Sequence, residues 1–284
     1  MIALLRERTQ AAIPSSFRGD TPRNRLIALM KDVRKQLQNG IAIEKVKPTI
    51  QSNWSVTKDQ LLKETHGKCA YCETSMVAVA FGDVEHYRPK SVYWWLAYVY
   101  DNYLASCAIC NQRFKGAQFE RGSDGIALPP PGLSSDISDV DLADLALTAI
   151  PDPLDGSAVT AFAEAHRAEK PLIPNPYFDN PEDYFEWEVM EAIGEVWVTA
   201  RHGVASAPAI LNACERIYGI NRPDLRRRRC QRYVFYKVFK ANVAALPDGH
   251  PVRVQTEELI ATLIKPNSEY AAMIRYLEGG VGLP

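Results

Sequence analysis

Two C-x-x-C pairs, Cys69-Ala70-Tyr71-Cys72 and Cys107-Ala108-Ile109-Cys110, constrain this chain more than any other feature. Paired thiolates two residues apart can face one ion, and two such pairs complete the tetrahedral four-sulfur site with which zinc staples a fold. Four sulfurs leave no open position, so such a site is structural and any chemistry must come from other residues. The alternative, a thioredoxin-like redox pair or four buried thiols, requires two such spacings to arise by chance. The 34 residues between the pairs exceed a minimal zinc ribbon. A folded insert carrying Glu85, His86 and Asn102 must therefore lie inside the loop that the metal closes.

The remaining sequence bounds what surrounds that loop. A chain of 284 residues with 46% hydrophobic and 24% charged side chains is an ordinary globular protein, long enough for two modest domains. The run Met1-Ile2-Ala3-Leu4-Leu5-Arg6 is too short before its first charge for a secretory signal, and no stretch of about 18 apolar residues occurs, so a cytoplasmic protein is expected. Six cysteines then suit metal binding and buried thiols better than a disulfide framework, with Cys214 and Cys230 expected as buried thiols. The net charge of −1 hides a division: residues 18–115 hold 15 Lys/Arg against 9 Asp/Glu, while residues 120–195 hold 17 acidic residues against Arg121, Arg167 and Lys170. A polyanion would be met by the front of the chain.

Periodicity predicts an amphipathic helix over 23–37 (Leu26, Ile27, Met30, Val33, Leu37), with Thr21 as N-cap before Pro22, and a second helix over 57–64. Residues 121–165, with Pro129-Pro130-Pro131-Gly132 and several Ser-Asp pairs, read as an acidic linker or flap with a short helix-like stretch around 142–147. Two short strands over 184–199 turn near Gly194, and helices follow over 205–218, 223–245, 252–264 and 270–277. The aromatic run 93–98 reads as core rather than as a base-stacking platform. The expected domains are thus 1–120, the linker 121–165, and a mainly helical 166–284. No repeat, Walker or dinucleotide-binding glycine pattern is present.

Three segments carry a resemblance: Val84-Glu85-His86-Tyr87-Arg88-Pro89-Lys90, Asp101-Asn102-Tyr103-Leu104, and Cys107-Ala108-Ile109-Cys110-Asn111-Gln112-Arg113-Phe114-Lys115. Together, over residues 69–115, they resemble the signature of HNH, or ββα-metal, nucleases. The fold class this implies is α+β: a zinc-stapled ββα-metal core flanked by helices, followed by a mainly helical C-terminal region with a small β-hairpin. It also implies that Glu85 and Asn111 hold a catalytic divalent ion, that His86 is the general base, and that Asn102 fixes the loop orienting the imidazole. Asn111 stands where the family name has its last histidine, and a carboxylate with an amide oxygen suits magnesium or manganese better than zinc. The chemistry needs these types, since a neutral histidine can deprotonate water near pH 7 and a Lewis-acid metal can stabilise the phosphorane and the leaving oxygen. Arg88, Lys90, Arg113 and Lys115 flank the motif, where cations would grip phosphates without reading sequence; a solvated face is their other reading.

A looser, longer similarity links Lys68-Cys69-Ala70-Tyr71-Cys72-Glu73, Asn175-Pro176-Tyr177, Asp183-Tyr184-Phe185-Glu186 and Gly219-Ile220-Asn221-Arg222 to the HNH subunits of Septu-type and retron-linked anti-phage systems. It implies an SMC- or ABC-like ATPase partner and a defence role. The basic run Arg226-Arg227-Arg228-Arg229 would contact nucleic acid or an acidic partner, or bridge to the acidic middle of its own chain. Two functions stand in competition: a DNA- or RNA-cutting nuclease, and a zinc-stabilised binding module without catalysis. A binding module has no need of a histidine beside a metal ligand, which favours the nuclease.

Overall fold

The computed structural model describes residues 1–77 and 80–279. It is α+β, with two small antiparallel sheets of two strands each and a mostly helical C-terminal part. Helix α1 (Asp20–Gln38) buries Leu26, Met30 and Val33 of the expected stripe, with Leu29 beside them, while Ile27 and Leu37 are only partly buried. It starts earlier than expected: Gly19, at φ +58°, takes the cap position, and Thr21 lies inside the helix. Helix α2 (Lys58–Glu64) follows as the sequence indicates.

Strands β1 (Asp83–His86) and β2 (Tyr103–Ser106) pair antiparallel, with Glu85 opposite Leu104 and His86 opposite Tyr103. A π-helical segment, Ile109–Lys115, completes a strand–strand–helix unit inside and after the cysteine loop. Its wider ring is seen in the bond from Gly116 N–H to the Asn111 carbonyl, 2.7 Å. Such segments are rare and recur at functional sites.

Residues 121–165 do not form a linker. They contain α3 (Asp139–Ala149), capped by the Ser138 hydroxyl, and the first part of α4 (Gly156–Glu169), capped by the Asp155 carboxylate. Leu142, Ala146, Ile150 and Phe162 are buried in one cluster with the α1 stripe and with Tyr93, Trp94, Trp95, Leu96 and Tyr98. The aromatic run is therefore core, as read.

The hairpin β3 (Phe185–Met190) and β4 (Glu195–Ala200) turns at Gly194, whose φ of +69° suits a residue without a side chain. Helices α5 (Ala207–Tyr218), α6 (Pro223–Ala245), α7 (Pro251–Leu263) and α8 (Ala271–Leu277) follow. The boundary expected between 1–120 and 166–284 does not separate two cores. Tyr71 stacks on Tyr218 at 4.1 Å, and Lys68 Nζ donates to the Ser268 carbonyl at 2.7 Å. Residues from Ile2 to Ile274 share the larger hydrophobic cluster. Among the described residues no helix is long and apolar enough to cross a membrane.

Candidate metal centre and active site

The four Sγ atoms of Cys69, Cys72, Cys107 and Cys110 lie within 4.8 Å of one another, so the two knuckles converge on one point. The first knuckle is fastened to β2 by the bond from Ala70 N–H to the Ala105 carbonyl, 2.9 Å. Hydrogen bonds among the cysteines, Cys107 foremost for Cys72 and Cys110 foremost for Cys107, hold the Cys72 and Cys107 thiols low. Burial pushes Cys69 up, and the bond to Cys107 pushes Cys110 up. Four converging sulfurs, two of them held low, fit zinc. Two side chains reach the cluster from outside: Thr74 Oγ1 accepts from Cys72 Sγ at 3.4 Å, and Arg222 Nη1 donates to Cys110 Sγ at 3.4 Å.

Beyond the knuckle, β1 faces the π-helical segment through two rungs. Asn111 Nδ2 and Gln112 Nε2 both donate to Asp83 Oδ2, at 3.1 and 2.9 Å. Two residues along β1, Glu85 forms a buried ion pair with Lys115, four residues along the helix. Residues i and i+2 share a strand face, as i and i+4 share a helical one, which is why the rungs register. Lys115 Nζ also donates to the His86 carbonyl at 3.1 Å. With its NH₂ bound to Asp83, Asn111 keeps an amide oxygen for another partner. Burial pushes the Glu85 carboxyl above its ordinary range, against the pull of Lys115.

His86 is 7% exposed and stands edge-on to Trp54 at 4.7 Å and to Tyr103 at 5.0 Å. Its Nε2 lies 3.3 Å from the Ala97 carbonyl. A carbonyl only accepts, so Nε2 carries the proton and Nδ1 keeps the lone pair of a neutral ring. Burial, then the nearby Lys90 ammonium, pushes its pKa down to about 3. Asn102 is wholly buried; its Oδ1 accepts from Arg88 N–H at 2.8 Å, and its Nδ2 donates to the carbonyls of Arg88 and Leu96 at 3.0 and 3.3 Å. It thereby clasps the loop that presents the Ala97 carbonyl to His86.

Two of the expected phosphate grips are corrected. Arg88 is fully buried: Nε donates to Glu169 at 2.7 Å and Nη2 lies 3.2 Å from His166 Nδ1, while Tyr93 donates to the other Glu169 oxygen. Lys115 is fully buried on Glu85. Neither can reach a phosphate outside the fold. Lys90 remains half-buried, its ammonium 3.9 Å from the Trp54 ring centre, and Arg113 is exposed. The basic helix is largely spent within the molecule, with Arg226 on Glu195, Arg228 on Glu269 and Lys237 on Glu191.

Sequence reasoning missed Asp83, Trp54, Glu169 and Arg222 as parts of this region. The i, i+2 spacing of Asp83 and Glu85 was a usable signal. Trp54 reaches His86 only through the tertiary fold, for which the sequence carries no local mark.

The region is an α+β unit in which a buried four-cysteine cluster able to hold a metal ion fastens a hairpin and helix bearing a shielded histidine. No family model matches the chain, and neither does any solved structure. The Septu protein PtuB of Bacillus mycoides (strain KBAB4) is 32% identical over 91 residues, covering 28% of this chain and 31% of that protein. The chain thus spans under a third of the length of the curated relative it matches, a distant and partial homology.

Proposed function

We propose that this chain is a metal-dependent HNH-type endonuclease that hydrolyses nucleic-acid phosphodiester bonds. The observation that carries it is the state of His86: neutral, with Nε2 tied to the Ala97 carbonyl and Nδ1 left as acceptor, one residue along β1 from Glu85. His86 Nδ1 takes the proton of the attacking water. Asn102 holds the loop that keeps the ring in that tautomer. Glu85 and the Asn111 amide oxygen hold a magnesium or manganese ion, which when bound supplies Lewis-acid stabilisation of the phosphate and the leaving oxygen. Asp83 orients Asn111 by binding its NH₂ group. Lys90 and Arg113 meet phosphates, while the cysteines hold a structural zinc.

The partial similarity to a Septu protein supports an anti-phage role beside an SMC- or ABC-like ATPase, and six free cysteines suit the reducing cytoplasm. One observation favours the second reading, a zinc-stabilised module that binds nucleic acid or protein without cutting: the Glu85 carboxylate is already engaged by Lys115.

Incubation of plasmid DNA and total RNA with the full chain, in magnesium or manganese, with and without the ATPase partner, separates the two. Cutting by the wild type, reduced at least about 100-fold in His86→Ala with zinc content and fold unchanged, is the expected result. Silence in the partner's presence would favour the binding module.

A further inference from the structure

Phe81 lies two residues before β1 and is 87% exposed. Its neighbour is a cation: Lys58 Nζ stands over the ring, 5.8 Å from its centre. One helical turn before Lys58 comes Trp54, which meets His86 edge-on and carries the Lys90 ammonium over its face. Aromatic and cation thus alternate from Phe81 through Lys58 to Trp54 and Lys90, ending on the candidate general base. The carboxylates of β1 are already engaged, Asp83 by Asn111 and Gln112, and Glu85 by Lys115. Asp59 is rotated by about 100° around α2 from Lys58.

We propose that this strip is the track for an unpaired nucleic-acid strand, with a base stacked on Phe81 and its flanking phosphates held by Lys58 and Lys90. The proposal rests on the nuclease reading and narrows its substrate to single-stranded DNA or RNA. Duplex bases hide their faces in the stack and offer only edges, so a duplex gripped by its phosphates would leave Phe81 uncovered. An unpaired base has a free face, and alternating aromatics and cations are what a sequence-tolerant single-strand site requires. An apolar protein surface would cover the ring but leave both ammoniums without counter-charge. Trp54 serves as the positioning residue that keeps Lys90 beside His86.

The test uses the full chain carrying His86→Ala, so that nothing is cut, with fluorescein-labelled DNA and RNA oligonucleotides of about 20 nucleotides, longer than the roughly 4–16-nucleotide sites of such tracks. Fluorescence anisotropy at several salt concentrations reads affinity for each single strand and its duplex. Single strands of one polymer are expected to bind more tightly than the duplex. Phe81→Ala weakens them about tenfold with little change in salt dependence, and Lys58→Gln lowers the salt slope by about one. Circular dichroism confirms that these exposed substitutions leave the fold intact. Equal binding of duplex and single strand, unchanged affinity in Phe81→Ala, or no binding at all would overturn the track. Phe81-dependent binding by a chain whose wild type cuts nothing would uphold the track and end the nuclease reading. Cutting of duplex unaffected by Phe81→Ala would do the reverse.

Discussion

Removing the His86 imidazole from water favours its uncharged form, and the Lys90 ammonium adds to the effect. Unfolded, the ring titrates near 6.5; folded, its pKa is pushed down to about 3. Between those values the unfolded chain takes up a proton that the folded chain refuses. The contribution of this group to stability is therefore complete above pH 6.5 and is lost as the pH falls toward 3, with a slope of up to about 1.4 kcal/mol per pH unit. Urea-denaturation free energies between pH 7 and 4 should fall more steeply for the wild type than for His86→Gln; parallel curves would contradict the burial of a neutral ring. At this scale spacing and resemblance marked Glu85, His86, Asn102 and Asn111 as the candidates from which the proposed site is built. It misled on Arg88 and Lys115 because a basic residue beside a motif reads alike whether it points to solvent or to a buried carboxylate. Only the fold brings Glu169 from α4 to Arg88 and turns Lys115 inward.

Among the elements, the segment between α5 and α6 ties the C-terminal part to the cysteine cluster. Gly219, at φ +57°, lies so close to the Phe114 ring that a Cβ would stand 2.5 Å from it, which requires glycine. Asn221 grips both backbone groups of Val198 in β4, and Arg222 reaches Cys110. A four-thiolate zinc site carries net negative charge, so a guanidinium donating to one sulfur stabilises it and slows loss of the ion. Arg222→Ala should weaken zinc retention by about 10- to 100-fold in competition with a chromogenic chelator; retention equal to wild type would remove Arg222 from the metal's surroundings. Helical periodicity made α5 to α8 legible, and alternation with a glycine turn made the β3–β4 hairpin legible. The π-helical form of Ile109–Lys115 was not, because nothing in its residue spacing separates a π from an α turn.

At the scale of the molecule, the expected partition into 1–120 and 166–284 gives way to one larger core running from the first residues to α8. Cooperative units follow shared burial rather than sequence position. Urea unfolding followed by tryptophan fluorescence and by far-ultraviolet circular dichroism should give one coincident transition, since Trp187 lies within the larger core and Trp54 packs against the same core. Two separated transitions would restore the two-domain division. The supposed linker was misread because its serines, aspartates and prolines mask Leu142, Ala146 and Ile150, whose four-residue spacing marks the buried face of α3.

The proposed function assigns two metals with separate duties: a zinc that the four converging cysteines would hold for the fold, and a second ion that Glu85 and Asn111 would hold for the chemistry. Zinc content by mass spectrometry, combined with a manganese titration read by electron paramagnetic resonance, measures both in the same full-length sample. The expected result is about one tightly held zinc per chain, plus one manganese whose affinity falls at least about tenfold in Glu85→Gln and Asn111→Ala while zinc stays in place. Manganese binding that ignores both substitutions, or is absent at millimolar ion, would contradict the assignment of a catalytic ion to these residues.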